Sequence, residues 1–197
     1  MQRRLRSLRN YALRSAKVLA LSMELHADAR IPFPRDRVFT AYRDHLPDLL
    51  PYLPNVRRVE VKSREEKGPI VNLVNEWQGG GEIPAAVRAI VGDSMMGWVD
   101  RATWDADSLR CEWRSETRAF GEALKCAGRN EFLEDGQGRT LLQIRGTIEV
   151  DAKRLRGIPG FLANKVGRTL EEFLGGRIQT NLVETAKGLT KYLEQQA

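Results

Sequence analysis

From Arg156 to the C-terminus, Leu162, Val166, Leu170, Leu174, Ile178, Leu182 and Ala186 recur at every fourth position. That spacing predicts one long amphipathic helix, with Pro159 suited to its first position. At 3.6 residues per turn a spacing of four drifts by about 40° per step. The stripe of Leu162, Val166, Leu170 and Phe173 therefore does not run on into Ile178, Leu182, Ala186, Leu189 and Leu193. Gly175 and Gly176 stand at the change of phase, and a glycine pair can bend a helix or admit an irregular turn. A kink is the expectation there, and two halves packing on different partners without a bend is the other reading. An apolar stripe of this length has to be buried, and most of the chain before it reads as strands.

Residues Glu24 to Arg30 alternate, with Leu25, Ala27, Ala29 and Ile31 on one side and His26, Asp28 and Arg30 on the other, which is the mark of a half-buried strand. Two short helices follow, one through Val38, Phe39 and Tyr42 and one from Asp44 to Tyr52, kept apart by Pro47, Pro51 and Pro54. Three strand pairs come next. Val56–Val61 pairs with Ile70–Gln78 around a charged turn at Arg64–Gly68; Met96–Trp104 pairs with Leu109–Thr117; Lys125–Glu134 pairs with Thr140–Asp151. Between the first two pairs, Gly79, Gly80 and Gly81 lead into IPAAVRAIVG, which reads as a short helix or a flap. The expected class is α+β, with a seven-stranded antiparallel sheet and a long C-terminal helix.

At 197 residues the chain suits one domain with a full core, and no apolar run approaches the ~20 residues of a membrane span. Its formal charge of +6 is local. Residues 1–22 hold six basic residues and no acidic one, so the remainder is neutral and lacks the broad phosphate-binding surface of a nucleic-acid binder. Residues 1–22 are set apart as a basic arm or targeting segment, and residues 23–197 as the domain. Three readings of the arm stand open: a mitochondrial-type presequence, a basic helix on an anionic membrane, or an arm outside the fold with Met23 as the start. The expected location is the cytoplasm, membrane-associated if the arm acts there, or the mitochondrial matrix in a eukaryotic source. Cys111 and Cys126 have no metal-ligand spacing and are expected as two buried thiols.

The phrases ADARIPFPRDRVFTAYRDHLPDLLPYLPNVRRVEV and GFLANKVGRTLEEFLGGRIQTNLVETAKGLTKYLE, in this order around six strands, resemble the START-like, helix-grip (SRPBCC) superfamily. That superfamily includes birch-pollen-allergen-like proteins, polyketide cyclases and aromatases, and coenzyme Q-binding and lipid-transfer proteins. The resemblance covers residues 23–195. It implies a sheet curved around the C-terminal helix with a cavity between them, and it implies no shared catalytic motif.

Strand parity then supplies candidate cavity residues. Trp77, Trp98, Trp113, Phe132 and Ile144 point inward from the sheet, with Val166, Leu170 and Leu174 from the helix. Asp100 and Asn130 are polar at inward parity, where an unsatisfied group costs about 1–3 kcal/mol, and either could orient a ligand. Arg101, Arg114, Arg129 and Arg145 read as outward. His26 and His45 have neither ligand nor dyad spacing, and no nucleophile elbow, dinucleotide fingerprint or phosphate loop occurs. No metal, cofactor or catalytic residue is assigned, although Asp100 and Tyr42 could serve a cyclase as acid or base. Three functions compete: binding or transfer of a lipid, quinone or polyketide-like molecule; a cyclase or dehydratase using the same cavity; and an interaction module with a filled core.

Overall fold

The computed structural model describes residues 21–80, 97–117, 120–151, 154 and 160–196. Strand β1 (Leu21–Ile31) leads into helix α1 (Arg35–Asp44) and then a 3-10 helix (Leu46–Tyr52). Six further strands follow: β2 (Val56–Lys67), β3 (Ile70–Gly79), β4 (Gly97–Asp105), β5 (Arg110–Thr117), β6 (Leu124–Glu134) and β7 (Thr140–Val150). Helix α2 (Gly160–Gln195) ends the chain. This is the expected helix-grip architecture: a seven-stranded antiparallel sheet ordered β1-β7-β6-β5-β4-β3-β2, with two short helices after the first strand. The second short helix carries Pro51 in its interior, which lacks the N–H that an α-helix would direct to the carbonyl four residues back, whereas Pro47 sits in the first turn, where no such bond is made.

Three details differ from expectation. β2 runs through Lys67, so the turn to β3 is only Gly68 and Pro69, with Gly68 at φ +59°. Leu109 is a turn residue at φ +49° rather than the first residue of β5. β1 begins at Leu21, two residues before Met23. The Pro159 helix start and the segment IPAAVRAIVG lie outside the described residues.

The two sheet edges are protected differently. β2 carries charge along most of its length and has register shifts at Val56/Arg58 and Val61/Ser63, both of which discourage pairing with another strand. On β1 the side-chain amide of Gln179, from α2, bonds to both backbone groups of His26: the His26 N–H donates to Oε1 at 3.0 Å and the Gln179 Nε2 donates to the His26 carbonyl.

Helix α2 is α-helical without interruption through Gly175 and Gly176, so the expected irregular turn is absent. Its halves instead bury different faces. Val166, Leu170, Phe173 and Leu174 pack on Leu25, Leu124, Ile148 and Val150, while Ala186, Leu189 and Leu193 join the core beneath α1 and the 3-10 helix. Gly175 has another use: a Cβ there would fall on the side chain of Met23, within 2.7 Å of its Sδ. Under α1, Phe39 meets Trp104 and Phe132 edge-on, each with centroids 5.3 Å apart, and each large side chain sealed in this way contributes roughly 1.5–3 kcal/mol by burial. No described helix is long and apolar enough to cross a membrane.

Candidate functional site

The antiparallel register lays the inward side chains out in rows. One row runs Val59, Trp77, Trp98, Thr117; the next runs Asn75, Asp100, Ser115, Cys126; a third runs Leu73, Ala102, Trp113, Gly128, Gly146; a fourth holds Trp104, Cys111 and Asn130. Trp77 and Trp98 stack with centroids 5.5 Å apart and planes within 8°. Trp113 lies against Gly128 and Gly146, where Cβ atoms would collide with its ring and with the neighbouring backbone. Its indole Nε1 donates to Asn130 Oδ1 at 2.9 Å, which fixes the ring.

Between these rows and α2 lies a cavity of about 200 Å³ with a mainly apolar wall. At the Trp77–Trp98 end it is bounded by Asn55, Gly80, Gly97 and Arg177, and the Arg177 Nη1 donates to Asn55 Oδ1 at 2.9 Å. At the Trp104 end it is bounded by Tyr42, Leu46 and Thr185. Among the described residues, four buried side-chain polar atoms have no hydrogen-bond partner: Asn75 Oδ1, Trp77 Nε1, Trp104 Nε1 and Thr117 Oγ1. All four residues line this cavity.

Among the described residues, Asp100 is the one carboxylate of the sheet's inner face that reaches the cavity wall. Asn75 Nδ2 and Ser115 Oγ donate to its two oxygens, both at 3.4 Å, longer than a well-formed hydrogen bond. Burial outweighs these bonds and pushes its pKa up to about 6. The Cys126 thiol is pushed up to about 12, first by burial and then by the Asp100 charge; Cys111 is raised for the same reasons. Both thiols are inert neutral groups at physiological pH. Burial also raises the Tyr42 phenol, against hydrogen bonds to Asn130 and Thr185 that lower it.

Of the sequence-derived candidates, Trp77, Trp98, Asp100, Trp113, Asn130 and Leu174 line the cavity together. Phe132 and Ile144 do not: they are sealed in the core under α1. Val166 and Leu170 pack in the core cluster against β1 and β7, away from the cavity. The helix instead lines it with Leu174, Arg177, Ile178, Asn181 and Thr185. Sequence reasoning missed Asn75, Ser115 and Thr117, though each shares parity with a candidate tryptophan on its own strand. The four arginines do lie on the outer face, where Arg101 pairs with Glu116 at 3.5 Å and Arg145 with Asp28.

No family model matches the sequence, and no curated protein does. Solved structures do match. The protein TTHA0849 from Thermus thermophilus is 25% identical, with TM-score 0.63 over 89% of this chain and 99% of that one. The Zhui aromatase/cyclase from Streptomyces sp. R1128 is 16% identical, with TM-score 0.62 over 88% and 94%. Norcoclaurine synthase from Thalictrum flavum, in complex with dopamine and hydroxybenzaldehyde, is 15% identical, with TM-score 0.58 over 90% of each chain. A long C-terminal helix gripped by a seven-stranded antiparallel sheet is what these structures share with the present one: the chain has the helix-grip fold.

Proposed function

We propose that this protein binds a compact hydrophobic small molecule between the sheet and α2. The observation that carries this reading is the clustering of all four orphaned polar atoms among the described residues around one apolar cavity. A core that served only to hold the fold together would pair such atoms, since each costs about 1–3 kcal/mol when left alone. The same observation weighs against the interaction module. The volume of about 200 Å³ lies under the ~300 Å³ where ligand pockets for drug-sized molecules begin; taken alone it speaks for the interaction module, and among ligands it favours a compact molecule over a long-chain lipid or an extended polyketide. That solved structures of the same fold include an aromatase/cyclase and a synthase in complex with dopamine and hydroxybenzaldehyde supports small-molecule use of the cavity. The test is native mass spectrometry of protein purified from its own host, followed by organic extraction. A compact hydrophobic compound at one per chain is expected. Stoichiometric long-chain lipid would overturn the size argument, and protein that comes clean and ignores a panel of compact aromatic compounds would overturn the reading.

Asp100 supports a second reading, an enzyme of the cyclase or dehydratase type. Its carboxyl is under-bonded, faces the cavity and titrates at about 6, close to the pH at which an acid or base catalyst works best. Under this reading Asp100→Asn abolishes turnover of whatever compound is recovered while retaining its binding; under the first reading the substitution leaves the protein's function standing.

A further inference from the structure

On the face of the sheet that points away from the cavity, we infer a docking furrow for an extended acidic segment of a partner protein. The furrow encloses about 930 Å³ and runs across the strands from β3 to β1. One wall runs Arg101, Arg114, Ala127 and Thr147 from β4 to β7; the other runs Thr103, Glu112, Arg129 and Arg145. Between them Ala102, Trp113, Gly128 and Gly146 have their side-chain positions on the opposite face, so the floor is paired backbone. Each wall sets two arginines directly opposite one another in neighbouring strands, Arg101 against Arg114 and Arg129 against Arg145. Like charges so placed repel, and a face that needed only to be solvated would gain by alternating them with carboxylates.

The carboxylates that pair with these arginines stand one row beyond each wall, outside the furrow. Glu116 is shared by Arg101 at 3.5 Å and Arg114 at 3.9 Å, Glu131 by Arg129 at 3.8 Å and Arg110 at 3.1 Å, and Asp28 pairs with Arg145. A guanidinium has five N–H donors, so a shared carboxylate at such distances leaves donors to spare. The two arginine pairs lie two strand spacings apart, roughly 10 Å along the furrow, and on opposite walls. In an extended chain, residues three apart are also separated by roughly 10 Å and point to opposite sides. Two carboxylates at that interval therefore each meet one arginine pair, whose forked donors suit a carboxylate. Glu112 in one wall, and Glu24 beside His26 at the β1 end, would repel an unbroken polyanion, which favours a peptide with spaced acidic residues over a nucleic-acid strand.

The test is an NMR titration of the isotope-labelled full chain with two short serine-rich peptides of equal charge, one with its two glutamates three residues apart and one with them two apart. The amides of Ala127, Gly128 and Gly146 are expected to shift, and the wider spacing to bind about threefold tighter or more. Arg114→Gln and Arg129→Gln, each removing one exposed guanidinium from a different wall, should abolish that preference. Arg58→Gln, an equal loss of charge at an exposed position on β2 outside the furrow, should keep it. Equal binding of the two peptides, or shifts confined to residues 1–22, would overturn the inference and leave only general attraction to basic charge. No shift at millimolar peptide would overturn it as well. Single-stranded oligothymidylate that moves the same amides at lower concentration than either peptide would overturn the choice of a peptide as occupant.

Discussion

Gly175 of α2 lies so close to Met23 of β1 that a Cβ at position 175 would sit within 2.7 Å of the methionine Sδ. The end of the methionine side chain therefore occupies the space that a side chain at 175 would take. The neighbouring Gly176 is exposed and has open space where a Cβ would be. The two positions should respond oppositely to alanine.

Gly176→Ala is expected to stabilise the protein by about 0.5–1 kcal/mol, the usual gain at an exposed helical glycine. Gly175→Ala loses that gain to the displacement of Met23 and should come out neutral or destabilising. Urea unfolding of both variants checks the pair. Destabilisation by Gly176→Ala would show that the helix needs flexibility there after all.

Asp100 gives a pH signature. Its folded pKa of about 6 exceeds the ordinary 3.8, so between these values the folded chain holds a proton that the unfolded chain has released. Stability on its account falls as pH rises through that window and is level above it. Asp100→Asn removes the buried charge and should add about 1–3 kcal/mol at pH 7, with the gain gone near pH 4. Denaturant titrations of the variant and the parent chain at both pH values test this; a pH-independent difference would contradict it.

Trp113→Phe keeps a ring over Gly128 and Gly146 but removes the donor that reaches Asn130 Oδ1 at 2.9 Å. A loss of about 1–3 kcal/mol in thermal or urea unfolding is expected for the hydrogen bond alone. A change under about 0.5 kcal/mol would mean that Tyr42 or water supplies the missing donor.

The basic arm calls for a separation of parts. The full chain is expected to sediment with anionic vesicles at low salt and to be released as salt screens the contact, whereas a chain starting at Leu21 should stay in solution with its melting temperature unchanged. Equal sedimentation of both would remove the arm from any membrane role.

Much of the fold is legible in the sequence because charge and apolarity alternate cleanly in places. In β5, Cys111 and Trp113 point in while Arg110, Glu112 and Arg114 point out, and the structure keeps that parity residue for residue. The turn between β2 and β3 falls later than its pattern suggests because the far half of β2, Ser63 to Lys67, projects beyond the core and is charged on both faces, which leaves no periodicity to read. Phase drift along α2 is visible too, but its result is not, since nothing in the helix sequence tells which strand residue will face Gly175. For the site, parity picks out Asp100 and the tryptophans. It cannot separate cavity wall from closed core: Phe132 and Ile144 share the inward face with Asn130, and it is α1, lying over them through Phe39, that fills their surroundings.

The two glycines behind Trp113 also govern how much the protein can hold. With no side chain at 128 or 146, the indole sinks toward the backbone of β6 and β7 and leaves its thickness to the chamber on its other side. Capacity is thus set from behind the wall. A methyl group added at Gly128 would meet the backbone oxygen of Arg145 as well as the ring, so the room beside Trp113 and the β6–β7 pairing depend on the same missing side chain.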